Sequence, residues 1–208
     1  AARSLLAPAD AELKRLERES TNEVTEAALR GVVSAKDLEI EWPQPERTPP
    51  FWKMWEHRRS VHRTSVRYGP RPTQLLDVWR RDDLTDHHAP VMLFVPGGAW
   101  VHGSRKLQGY ALMSHLAEKG WVCLSIDYRV APHDPWPAHI VDVKTAIAWA
   151  RANVDKFGGD RHFVTIAGCS AGGHLAALAG LTANDPDLQT ELPEGADTSV
   201  DAVVGIYG

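Results

Sequence analysis

The chain has 208 residues, 43% of them hydrophobic, which is enough to bury the core of a single domain. Its 27 acidic and 23 basic residues leave a net charge of −4, so no affinity for nucleic acid is implied. Apolar runs such as Val91–Val95 are far too short to span a bilayer.

Residues Ala9–Arg30 have a helical pattern broken once. Asp10 caps the first piece, Thr21 or Asn22 the second, and Gly31 ends it. Trp42–Pro50 carries Pro43, Pro45, Pro49 and Pro50 and reads as an extended connector. Phe51–Arg59 is a short amphipathic piece whose Trp52 and Trp55 fit one buried helix face. Residues 1–60 are thus expected to form a helical cap region, and residues 61–208 the core of the fold.

From Val61 onward strands and helices alternate. Val61–Tyr68 and Gln74–Arg80 predict an antiparallel pair at a sheet edge, joined by Gly69-Pro70-Arg71-Pro72. Val91–Val95 is continuously β-branched and aromatic, the pattern of a strand buried on both faces. Helices are predicted over Leu107–Lys119, Ala138–Phe157 and Ala171–Thr182. Strands are predicted over Trp121–Asp127, His162–Ala167 and Val200–Tyr207. This alternation gives an α/β fold, with a mostly parallel sheet and helices on both faces. Cys123 and Cys169 fall in strand-like apolar runs and read as buried free thiols. His87-His88 reads as a polar turn, since no further ligand is spaced to build a metal site with it.

The chemistry concentrates in Thr165-Ile166-Ala167-Gly168-Cys169-Ser170-Ala171-Gly172-Gly173. An apolar strand runs into Gly-x-Ser-x-Gly and then into a small-residue helix, the pattern of a nucleophile elbow. Such a turn lifts Ser170 out at the carboxyl edge of the sheet. It also puts the Ala171 N–H at a helix N-terminus, where it stabilises an oxyanion. Val95-Pro96-Gly97-Gly98-Ala99-Trp100 follows the first buried strand, where the second half of an oxyanion hole belongs. Gly97, Gly98 and Ala99 are its candidate backbone donors. Trp100, Tyr110 and Trp136 are candidate pocket walls.

These segments resemble the hormone-sensitive-lipase-like branch of the α/β-hydrolases, and within it the mycobacterial Lip-type (LipM-like) carboxylesterases and lipases. Pro96-Gly97-Gly98-Ala99-Trp100 stands for that family's His-Gly-Gly-Gly-aromatic. Asp127-Tyr128-Arg129-Val130-Ala131-Pro132 stands for Asp-Tyr-Arg-Leu-Ala-Pro, and Gly168-Cys169-Ser170-Ala171-Gly172-Gly173 for Gly-Asp-Ser-Ala-Gly-Gly. The resemblance spans about Val61–Gly208. It implies an α/β-hydrolase that cleaves a small-molecule ester or a lipid through an acyl-enzyme on Ser170. Neither metal nor organic cofactor is implied, and the location would be cytoplasmic or at the cell envelope. An arylformamidase or peptidase, or a ligand-binding homologue without catalysis, are the alternatives on the same scaffold.

Three departures stand out: Pro96 for His, Ala99 for Gly, and Cys169 for the acidic residue before the serine. The resemblance also implies a triad Asp after the strand that would follow Val200–Tyr207, and a triad His after the strand beyond that. The chain is shorter than the about 250–300 residues expected of the fold. The expectation is therefore a fold without its last strands, inactive alone and completed by a C-terminal fragment of the same protein. Within the chain, His174 lies one turn along the serine's own helix, poorly placed to act as base. Asp185, Asp187, Glu191, Glu194, Asp197 and Asp201 read as solvated, and His102 as a loop residue near the site mouth. Asp127 and Arg129 read as an internal ion pair that fixes their loop.

Overall fold

The apolar runs from Val61 onward build one six-stranded sheet, seen in a computed structural model that describes residues 61–85, 88–106 and 108–208. These residues all belong to one compact unit of the chain. The expectations for residues 1–60 and for His87 lie outside the described residues. The strands are β1 (Val61–Arg67), β2 (Leu75–Arg81), β3 (Ala89–Val95), β4 (Val122–Ile126), β5 (Gly159–Cys169) and β6 (Ala202–Tyr207). They lie in the order β1-β2-β4-β3-β5-β6. β2 runs antiparallel to β1 and β4, while β4, β3, β5 and β6 are mutually parallel.

Helix α1 (Tyr110–Glu118) joins β3 to β4, α2 (Ala138–Asn153) lies between β4 and β5, and α3 (Ala171–Leu181) follows β5. Side-chain alternation along the strands sorts the core into two layers. Val91, Leu93, Val95, Leu124 and Ile166 face Ile140, Val143 and Ile147 of α2 and Leu175 of α3. Met92, Phe94, Cys123, Ala167 and Cys169 face Met113 and Ala117 of α1. The mostly parallel sheet with helices on both faces is as the alternation predicts. Cys123 and Cys169 are both buried free thiols.

The differences are at the ends. The helix expected over Ala138–Phe157 leaves α-geometry at Val154 and finishes as a 3₁₀ turn, Val154–Phe157. β5 begins three residues before His162, because Gly159 pairs with Ala89. α1 starts at Tyr110, after Gly109; the expected start at Leu107 lies outside the described residues.

The strand order fixes where a ligand can sit. The chain leaves β3 toward β4 on one side and leaves β5 toward β6 on the other. Such a reversal opens a crevice beyond the carboxyl ends of two adjacent parallel strands. Here those ends are Val95 and Cys169, and they feed the glycine loop and the serine turn respectively.

Candidate active site

Ser170 is the single residue between the last position of β5 and the first of α3. Its backbone sits at φ 54° and ψ −128°, a conformation that strains any residue with a Cβ by about 1–3 kcal/mol. Neighbours on both sides hold it there. The Ser170 N–H donates to the Tyr207 carbonyl at 2.6 Å, and the Ser170 carbonyl accepts from the His174 N–H at 3.0 Å. Gly172 allows the approach, since a Cβ there would stand 2.1 Å from the Val95 carbonyl oxygen. α3 therefore starts against the end of β3. The first N–H groups of a helix have no intrahelical acceptor, so that of Ala171 is available beside the serine.

The loop after β3 lies against this turn. A Cβ on Gly97 would come within 3.0 Å of the Ser170 Cβ. Three successive residues then take positive φ: Gly98 at 139°, Ala99 at 51° and Trp100 at 60°. They form a left-handed turn closed by Val101 and His102, whose N–H groups donate to the Gly98 carbonyl at 3.1 and 2.9 Å. No acceptor is found for the N–H groups of Gly98 and Ala99 among the described residues. Gly97 corrects the sequence reading. Its N–H already donates to Oε1 of Gln108 at 2.6 Å, so it is not a free oxyanion donor.

Of the expected pocket residues, Trp100 stands beside α3, its ring edge-on to His174 at 5.5 Å. Tyr110 is a correction. It packs edge-on against Trp79 at 5.0 Å, in the layer between α1 and the sheet. Trp136 is 55% exposed in the loop before α2. A cavity of about 510 Å³ at the glycine loop is lined instead by Gly97, Gly98, Val101, His102, Gln108 and Val130. A second cavity, about 570 Å³, lies between α2 and the 192–197 loop and includes neither motif. Gln108, Val101 and Val130 carry no sequence signal, because their roles depend on contacts distant in the chain.

Asp127 and Arg129 do not pair with each other. Asp127 accepts from the Arg105 backbone N–H at 2.7 Å and from its guanidinium. Arg129 turns to the fully buried Asp142 of α2, bonding it through the backbone N–H and two guanidinium nitrogens at 2.7–2.9 Å. Gln74 donates to the same carboxylate at 2.7 Å. Glu191 is a further correction. Rather than being merely solvated, it is bonded by Arg129 and by both sides of the Arg71 fork. Partial burial pushes the Glu191 carboxyl up, but hydrogen bonds from Arg129 and Arg71 outweigh it and hold the pKa below the ordinary value. Asp197 and Asp201 both face Arg151. No cluster able to hold a metal occurs among the described residues.

A sheet that reverses at β3 and β5, with a strained serine at one strand end and a glycine turn at the other, defines the α/β-hydrolase fold. The BD-FAE family pattern covers residues 76–208, and the chain belongs to that family. It is 70% identical over 207 residues to esterase LipC of Mycobacterium tuberculosis, covering all of this chain and 51% of LipC. It is 49% identical over 154 residues to the probable carboxylic ester hydrolase LipM of the same organism, covering 73% of this chain and 36% of LipM. The chain thus spans about half or less of these relatives' length. Among solved structures, Thermogutta terrifontis esterase 2 phosphonylated by sarin matches with a TM-score of 0.60 at 26% identity. That match covers 68% of this chain and 52% of the esterase.

Proposed function

We propose that the full-length protein is a serine carboxylesterase or lipase that hydrolyses a small-molecule ester or a lipid ester through an acyl-enzyme on Ser170. The observation that carries this reading is the strained Ser170 lying against the glycine turn, where a Cβ built on Gly97 would stand 3.0 Å from the serine Cβ. Ser170 Oγ attacks the ester carbonyl carbon while its proton passes to a histidine base. The developing oxyanion accepts from the N–H groups of Ala171, Gly98 and Ala99. The alkoxide leaves with that proton. Water then attacks the acyl-enzyme, releasing the acid and restoring Ser170.

Among the described residues, Ser170 has no histidine or carboxylate hydrogen-bonded to its hydroxyl. In this reading the base and its acid come from outside the 208 residues, supplied by a C-terminal part of the same protein. The relatives' names, esterase and carboxylic ester hydrolase, support the ester class. The sarin-phosphonylated neighbour supports a nucleophile that reacts with organophosphorus esters. The test is a fluorophosphonate probe on the full-length protein. Labelling is expected in the wild type and absent in Ser170→Ala, and labelling that persists in the variant overturns the assignment.

A further inference from the structure

Between Gly97 and His102 the chain holds three consecutive positive-φ residues, two of which carry a Cβ. A left-handed run of this kind is unfavourable by about 1–2 kcal/mol per such residue and persists only where its surroundings over-determine it. The turn's own hydrogen bonds, both to the Gly98 carbonyl, do not tie it to the elbow. Two side chains from elsewhere hold it, one at each end: Gln108 ties it to the elbow and His139 ties it to α2.

At the first end, Oε1 of Gln108 accepts from the Gly97 N–H at 2.6 Å and from the Cys169 thiol at 3.0 Å. Both partners are donors, so the oxygen of the amide must face them. One atom thus joins the glycine loop to the residue immediately before the serine. This also gives Cys169 a use: an acidic side chain there would meet the Gln108 oxygen as a second acceptor, whereas the thiol donates. At the other end, the Trp100 carbonyl accepts from the Ala131 N–H at 2.8 Å and meets Nε2 of His139 at 3.2 Å. A carbonyl only accepts, so His139 carries its proton on Nε2. His139 is 4% exposed, and its buried Nδ1 has no hydrogen-bond partner among the described residues. The Trp100 carbonyl is therefore the polar contact that orients this ring.

We propose that Gln108 and His139 are positioning residues that clamp the strained Gly98–Trp100 turn at its two ends, keeping the Gly98 and Ala99 N–H groups aimed at the oxyanion of the Ser170 reaction. This rests on the catalytic role proposed for Ser170. Neither side chain touches the reacting atoms. Each acts through the backbone it holds, so its loss lowers kcat and leaves ground-state binding nearly unchanged.

The experiment is steady-state hydrolysis of a p-nitrophenyl short-chain ester by the full-length protein and its variants. Deleting an oxyanion donor lowers kcat by about 10²–10³, so releasing one end of the turn should lower it by about tenfold in Gln108→Leu and in His139→Leu, with KM within about twofold. Gln108 is surface-exposed, so Gln108→Leu keeps its thermal midpoint. His139→Gln retains an N–H donor and should recover most of the kcat lost in His139→Leu, which separates aiming the carbonyl from filling the core. Wild-type kcat in both Leu variants, or an equal loss in His139→Gln and His139→Leu, overturns the proposal. If Ser170→Ala is inactive in the same assay, either result condemns the clamp alone. If Ser170→Ala hydrolyses the ester at the wild-type rate, the catalytic reading falls and the clamp with it.

Discussion

Gly98 concentrates the residue-scale argument. Its φ of 139° excludes a side chain, and a Cβ there would stand 2.4 Å from the His102 carbonyl oxygen. Gly98→Val must therefore rotate the peptide that presents one proposed oxyanion donor. The expected outcome is a kcat about 10²–10³ lower with little change in KM, measured on an activated ester. A normal kcat would put the oxyanion donors elsewhere. The turn itself was legible, because two glycines follow a buried strand. Gly97 next to it was not separable from Gly98 by sequence: its N–H is taken by Gln108, eleven residues on, and no local pattern encodes that contact.

Among elements, the contact that ties the loop after β4 to α2 is the buried pair of Arg129 with Asp142, joined by Gln74. Asp142 has no solvent exposure, so removing it leaves Nε and Nη2 of Arg129 and the Gln74 amide N–H without their acceptor in the interior, with Glu191 holding Nη1 alone. Asp142→Ala is expected to lower unfolding free energy by about 3–5 kcal/mol, read from urea denaturation of the full-length protein. A loss under about 1 kcal/mol would mean that water repairs the site. Glu191 extends the same network to the surface. Its carboxyl is held below the ordinary 4.5 in the fold. A depressed carboxyl stabilises the protein above its unfolded pKa, and that contribution disappears as pH falls through the lower folded value. Stability should therefore decline below about pH 4.5, and Glu191→Gln should make the acid limb shallower while lowering stability at neutral pH. An unaltered acid limb would assign the effect to other carboxylates. The elements themselves were largely readable, because strand and helix periods differ and glycines punctuate the ends. Their polar partners were not. Asp127 and Arg129 sit two apart and invite pairing, yet the chain leaves β4 at Ile126 and turns one toward Arg105 and the other toward α2.

At the scale of the whole sheet, the same strand supports the serine and has no covering element among the described residues. β6 pairs with β5 on one side, and its Tyr207 carbonyl receives the Ser170 N–H. Yet Val203, Val204, Ile206 and Tyr207 are 41–62% exposed. Val203 faces α3, since a Cβ on Gly180 would reach its Cγ2 at 2.4 Å. By alternation, Val204 and Ile206 point to the opposite face of the sheet. An apolar strand with one unpaired edge is a template for pairing with another copy. The 208-residue chain on its own is therefore expected to self-associate as its concentration rises, seen as a growing sedimentation coefficient. Placing lysines at both positions, Val204→Lys with Ile206→Lys, should suppress the association while leaving far-ultraviolet circular dichroism unchanged, because charge on an edge strand opposes pairing without touching the core. Wild-type chain that stays monomeric over the same range would show that the exposed face of β6 is not a pairing surface.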